Sequence, residues 1–173
     1  MWTKPTNEEF PSYFEKYIDL VPEDSLEDTL IKQIKDTTAF LSNMSETQAN
    51  YRYATGKWTL KEVIGHITDT ERIMSYRLLR IARGDQSPLA GYDDETYVNE
   101  AAFHSRSLPD LLKDFSAVRQ STVSLVRSIS EDVWSRKGIA NNSEISLRAL
   151  AYIIAGHELH HVKIIKDKYV NSL

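Results

Sequence analysis

The stretch KWTLKEVIGHITDTERIMSYRLLRIARG, residues 57–84, decides the fold. Thr59 is placed to accept a hydrogen bond from the unpaired N–H groups of a helix's first turn while Glu62 reaches back to the Thr59 backbone. That is a reciprocal capping box, and Trp58 can staple onto Val63. From there Val63, Ile67, Thr70, Met74, Leu78 and Ile81 step by three or four residues, which lines them up on one face of an α-helix. Arg83-Gly84 then supplies a stop, because glycine readily takes the left-handed conformation that ends helices. A long helix with one apolar face needs other helices to cover it.

Working outward, three more stripes of the same period appear. Before it, a helix beginning near Pro22 carries Leu26, Leu30, Ile34, Thr37, Leu41 and Met44. After it, a helix follows Ser107 with Pro109 in its first turn and Leu111, Phe115, Val118, Thr122, Leu125 and Ile129 as its stripe. A last helix starts near Ser146, with Leu150, Ile154, His157, His161 and Ile164 on one face. Runs of alternating Val, Ile and Thr are missing, so the fold class is all-α: a four-helix bundle, residues 1–173 forming one domain. About two dozen residues separate Gly84 from Leu108, far more than the roughly two to eight that join antiparallel neighbours. A crossover of that length lets the second and third helices run parallel, giving up-down-down-up order. The interruption at Gly138-Ile139-Ala140-Asn141-Asn142 reads as a turn.

The bulk properties exclude several functions. With 21 basic against 25 acidic residues, the net charge is -4 and no basic block tracks a phosphate backbone, which argues against nucleic acid. No apolar run approaches the roughly 20 residues of a membrane span, and MWTKPTNEEF lacks the apolar core of a signal peptide. The expected compartment is the cytoplasm, with no membrane partner. The chain has 0 cysteines, so a metal must be held by His and carboxylate and a thiol nucleophile must come from outside.

The chemistry concentrates in AGHELHH, residues 155–161, which contains H-E-x-x-H. His157 and His161 share a helix face, and they interrupt an apolar stripe that should face the core. His66 points inward from the second helix, about 10 Å along its axis at about 1.5 Å per residue, which in an antiparallel pairing brings it level with them. Three imidazoles leave a divalent ion an open position, as catalytic zinc sites do, and keep its full charge to acidify a bound water or thiol. Imidazole suits nickel as well as zinc. A zincin peptidase needs a third ligand downstream, and VKIIKDKYVNSL, the twelve residues after His161, holds neither His nor Glu.

The segments YFEKYIDLVPED, ANYRYATGKWTLKEVIGHITDTERIMSYRLLRIARGD, PLAGYDDETYV and AYIIAGHELHHVKII, in that order, resemble the DinB/YfiT-like superfamily, with its G-K-W-T and H-I-x-D-x-E signatures. The resemblance spans almost the whole chain. It implies an up-down-down-up bundle, often a homodimer, with a divalent ion on His66, His157 and His161. It also implies chemistry on a small-molecule substrate with a low-molecular-weight thiol as cosubstrate, in the manner of bacillithiol or glutathione S-transferases and a mycothiol-dependent isomerase. Other members are known only as damage-inducible proteins or metal-dependent hydrolases.

Behind the ligands, Asp69, Glu158 and His160 are candidates for a supporting shell, though Asp69 can equally pair with Arg72 or Arg77 on the surface. Glu158 reads as a supporting or surface carboxylate rather than a general base. Tyr92, Asp93 and Asp94 can cover the metal from the crossover, and Arg77 and Arg80 can meet a substrate carboxylate, although surface charge explains the arginines as well. His104 reads as a plain loop histidine. The expectation is a metal-dependent thiol S-transferase, with a metal-dependent hydrolase or a non-catalytic metal-binding bundle as alternatives.

Overall fold

The computed structural model describes residues 3–23 and 25–170. In chain order they form α1 (Glu15–Ile18), α2 (Leu26–Leu41), α3 (Glu46–Ala49), α4 (Leu60–Ala82), α5 (Asp94–Glu100), α6 (Leu108–Arg127), β1 (Lys137–Ala140), β2 (Ser143–Ser146) and α7 (Leu147–Ile164). A π-helical turn, Ile165–Val170, extends α7. The bundle is α2, α4, α6 and α7, and each of these begins on a hydroxyl cap: Ser25, Thr59, Ser107 and Ser146. The Thr59–Glu62 capping box is formed in both directions. No described helix is long and apolar enough to cross a membrane.

Hydrogen bonds between helices fix their directions. Thr38 meets Ser116 and Glu27 meets Arg127, so α2 and α6 are antiparallel. Asp114 pairs with Arg72, and Arg83 reaches Ser128, so α4 and α6 run parallel. Gln33 reaches the Ala155 carbonyl and Thr37 reaches Glu158, so α2 and α7 are also parallel. The Tyr169 hydroxyl, at the far end of α7, donates to the Trp58 carbonyl at the start of α4, which makes that pair antiparallel. The order is up-down-down-up, as the length of the crossover predicts.

Three details differ from the sequence reading. The first bundle helix starts at Leu26 rather than near Pro22, because the Ser25 side chain accepts from the Asp28 N–H and so sets the cap there, and Met44 falls past its end. Of the α6 stripe, Leu111, Phe115, Thr122 and Ile129 are buried as the spacing predicts, but Val118 and Leu125 are only half-buried, and Arg119, Val123 and Val126 are buried in addition. The turn near residue 140 is the tip of a β-hairpin, with Lys137 opposite Ser146 and Ala140 opposite Ser143. Its two loop residues, Asn141 (φ 49) and Asn142 (φ 61), are both left-handed, the geometry of the tight two-residue hairpin turn. Four-residue strands are too short to print a period of two in the sequence.

The hairpin also receives the crossover. The Leu89 N–H donates to the Ile139 carbonyl and the Leu89 carbonyl accepts from Asn141, both at 2.9 Å. The chain then climbs back through α5 to Phe103, whose ring sits where a Cβ on Gly65 would be, 2.4 Å from that position. The apolar core forms two clusters, one around Leu78, Val126 and Leu150 and one around Ile64, Phe115 and Ile165.

A polar layer crosses the bundle as well, centred on Arg119, which is 0% exposed. Arg119 donates to both oxygens of Glu71 at 2.7 and 2.8 Å and to Gln33 Oε1 at 2.7 Å, and its Nη2 lies 2.7 Å from Glu158 Oε2. Removing one partner of such a set strands buried charge. Arg119→Met is expected to cost about 3–5 kcal/mol in urea denaturation near neutral pH, and less at lower pH where the stranded carboxylates take up protons. Deleting the exposed Lys32–Asp36 pair should cost less than about 1 kcal/mol in the same titration.

Candidate metal centre

The antiparallel pairing of α4 and α7 brings three imidazoles together. His66 Nε2 lies 3.1 Å from His157 Nε2, and His161 Nε2 lies 3.1 Å from the same atom. One ligand atom from each ring falls within 4.8 Å of the others. Each of the two clustering sequences puts a glycine before its first histidine, and the packing explains why. At Gly65 the Phe103 ring takes the space of a side chain, and at Gly156 the Tyr17 backbone carbonyl lies 2.0 Å from where a Cβ would stand. Aromatic rings brace the ligands: Trp58 is 4.7 Å from the His66 ring, and Tyr17 meets His157 edge-on at 5.4 Å. Trp58 also joins the apolar cluster that contains Val63.

These residues fit a metal. Burial holds all three imidazoles below their ordinary pKa, His157 well below and His161 down to about 3, so each ring is neutral with a lone pair available. Three neutral rings whose Nε2 atoms face one another cannot all hydrogen-bond, since a ring nitrogen either donates one proton or offers one lone pair. A single cation satisfies all three lone pairs. Tetrahedral coordination at about 2.0–2.1 Å places neighbouring nitrogens roughly 3.3 Å apart, close to the separations seen.

The His157 side of the cluster opens into a cavity of about 420 Å³, within the size range of small-molecule sites. Tyr92 and Asp94 from the crossover line it with Thr70 and Arg77 from α4 and Tyr17 from α1. The Tyr92 hydroxyl pairs with Thr70 Oγ1 at 2.8 Å, and burial pushes its pKa up to about 12, so it stays protonated at neutral pH. Asp93, the third residue expected to cover the metal, instead caps α5 by accepting from the Thr96 N–H at 2.8 Å.

The remaining candidates divide sharply. Asp69 is engaged by Arg72 at 2.8 Å, the surface alternative, and reaches His66 only through its charge. His160 is half-buried, packed edge-on against Tyr17 and His161 at 5.2 Å each. His104 is exposed in the turn Phe103–Ser105. Arg80 is a surface residue bonded to Asp85 and Tyr76, but Arg77 is buried and belongs to the cavity wall.

Glu158 is not a surface carboxylate. It is 1% exposed and turned toward Arg119, with Thr37 Oγ1 donating to its Oε1 at 2.6 Å. Its Oε2 is ion-paired with Arg119 Nη2 at 2.7 Å, the nitrogen that also donates to Glu71 Oε2. Desolvation raises its pKa. The sequence reading missed Arg119, Glu71 and Gln33, although the signal was present: each continues an apolar stripe by three or four residues, from Phe115, Ile67 and Leu30 respectively.

Comparison with known proteins follows the same outline. The sequence profile of the DinB superfamily matches residues 29–165. A protein of Oceanobacillus iheyensis, described provisionally as a metal-dependent hydrolase, is 26% identical over 150 residues, covering 82% of this chain and 84% of that protein. YfiT from Bacillus subtilis, described as a probable metal-dependent hydrolase with an unusual four-helix bundle topology, superposes with a TM-score of 0.73 at 16% identity, over 98% of this chain and 94% of its own. A DinB-like protein of the same organism, YjoA, gives 0.62 at 15% identity, over 86% of this chain and 92% of its own. At such identities the two structures share the fold.

Two outcomes follow from the geometry. Protein purified without chelator should carry about one divalent ion per chain by elemental analysis; His66→Ala, His157→Ala and His161→Ala should each lose it, while His160→Ala and His104→Ala keep it. For metal-stripped protein, the unfolded chain takes up protons below about pH 6.5 where the folded imidazoles do not, so stability should fall as pH drops from about 6.5 toward 3. In His161→Asn, which cannot titrate there, the decline should be shallower.

Proposed function

This chain belongs to the DinB superfamily, and from that premise and the three converging imidazoles we propose that it is a metal-dependent enzyme that joins a low-molecular-weight thiol to a small electrophile. The observation that carries the reading is the cluster of His66, His157 and His161, one member of which, His157, lines the neighbouring cavity. A divalent ion held there, with zinc and nickel both suited to imidazole, would lower the pKa of a coordinated thiol or water.

The protein's own groups supply position. The three Nε2 atoms would hold the ion, and the Trp58 and Tyr17 rings brace two of the imidazoles. Tyr92 and Thr70 present hydroxyls to the cavity, and the apolar walls limit water. The absence of cysteine means that no side chain competes with an incoming thiol. In this reading the substrates are small molecules, the working form is a homodimer, as the family resemblance implies, and the compartment is the cytoplasm.

Hydrolysis is the second reading, supported by the descriptions of the Oceanobacillus relative and of YfiT. Neither reading assigns Glu158 as a base, since that carboxylate is committed to Arg119 and Thr37.

Metal-loaded protein given glutathione, bacillithiol or mycothiol with an activated haloarene or a bimane should show saturable conjugation at pH 7, abolished by chelation and by His66→Ala. Ester or amide cleavage that needs the metal but no thiol would instead establish the hydrolase. Equal background conjugation by metal-free and metal-loaded protein rejects the transferase. Glu158→Gln should leave metal content unchanged and lower turnover far less than the roughly hundredfold loss that follows removal of a general base.

A further inference from the structure

Arg77 presents a problem that the metal site does not solve. It is 5% exposed, and a guanidinium keeps its charge wherever it is placed. Its Nη2 donates to the Ala90 carbonyl at 2.7 Å, its Nη1 lies 3.6 Å from the Met74 sulfur, and its central carbon is 5.9 Å from the centre of the Tyr92 ring. Among the described residues no carboxylate forms an ion pair with it. The other arginines on the same side of the question are answered differently: Arg119, fully buried, has two carboxylates, and Arg80, one turn further along α4, has Asp85.

Position adds to this. His66, Thr70, Met74 and Arg77 advance by four, four and three residues and so lie along one face of α4. Eleven residues (77 − 66) put Arg77 roughly 16 Å further along the axis than His66, with the cavity between them. Asp94, the acidic residue in the cavity wall, acts on His66, on Tyr17, which packs against His157, and on Tyr92 midway along the wall, but not on Arg77, so the negative charge lies away from the guanidinium. The wall is therefore cationic at one end, with hydroxyls from Thr70 and Tyr92 in between. Of its five N–H donors one holds the crossover at Ala90 and one faces the Met74 sulfur, which leaves three, and the guanidinium fork matches a planar anion.

We infer that Arg77 anchors a carboxylate of the small-molecule substrate, several bonds away from the atom that reacts at the imidazole cluster. The substrate class is thus an elongated small acid, apolar or weakly polar along its middle. This deepens the proposed function, because it takes the same cavity as the substrate site.

The test compares 6-mercaptohexanoate, 6-mercaptohexanamide and 6-(methylthio)hexanoate by calorimetric titration of metal-loaded and chelated protein. The acid should bind about tenfold or more tighter than the amide, with or without metal, as a charge-assisted pair to a buried fork requires. Arg77→Met should bring acid and amide to within about twofold while metal content stays unchanged. Arg77→Gln, which keeps a donor for Ala90, should do the same and serves if the Met variant does not fold by circular dichroism. Arg77→Lys should keep part of the preference. Equal or undetectable binding of acid and amide by the unmodified protein, or a preference that survives in Arg77→Gln, overturns the assignment. The preference for thiol over methyl thioether should appear only with metal and reports on the imidazole cluster alone, so its failure would count against the functional reading and leave Arg77 standing.

Discussion

The guanidinium of Arg119 lies inside the bundle with no exposed surface, and all four long helices are arranged so as to receive its hydrogens or its charge. It comes from α6; α2 offers Gln33, α4 offers Glu71, and α7 offers Glu158, which Thr37 of α2 braces from its other oxygen. Gln33 closes the ring by donating to the Ala155 carbonyl at 2.8 Å. Two carboxylates against one guanidinium leave the layer one charge short, and the strain falls on Glu158, whose pKa burial raises while Arg119 itself is held more firmly protonated. Buried ion pairs add little net stability compared with apolar packing, but they are intolerant of displacement.

That intolerance is what the metal centre needs. Glu158 directly follows His157, and Glu71 comes five residues after His66 (71 − 66). A slip of α7 along α4 by one helical turn, about 5.4 Å, would pull Glu158 away from Arg119 and separate His66 from the other two imidazoles at the same time. Apolar stripes alone permit such slips, because one leucine replaces another at the next turn. The charged layer does not. The two glycines act in the perpendicular direction: with Gly65 under Phe103 and Gly156 under the Tyr17 backbone, neighbouring segments come close enough to wall the ligands.

What the sequence revealed and what it withheld divide along physical lines. Features set by local chemistry were legible: the Thr59 cap, the periodic stripes, the shared face of His157 and His161, and the parallel run of α4 and α6 implied by a long crossover. His66 was legible because a histidine on a well-phased stripe has a predictable height. The hairpin was not, because its four-residue strands and its Asn141-Asn142 tip look like any polar turn. On α6 Val118 and Leu125 were placed inward because they are apolar, and Arg119 was passed over because it is charged, although it stands four residues after Phe115; pairing with Glu71 and Glu158 is what lets the arginine face inward. Arg77 was ambiguous for the converse reason. Surface and cavity arginines have the same spacing, and its burial depends on how the crossover folds over it.

The same division separates the constant part of the site from the adjustable part. The imidazoles stand on two rigid helices whose register the buried charges hold, so the position of a bound ion is set by the core. The cavity beside it is walled partly by the first part of the crossover, before α5, whose contacts around the cavity are Leu89 on the hairpin, Ala90 on Arg77, and Tyr92 on Thr70. Residues on such a loop can change with little cost to the core, since they carry few of its contacts. Arg77 is unusual in belonging to both parts, rooted on α4 and bonded to the loop through Ala90. A change in the loop that moved Ala90 would therefore alter the direction of the guanidinium without touching the three imidazoles, and under the proposed function substrate selection would then vary independently of the chemistry at the histidines.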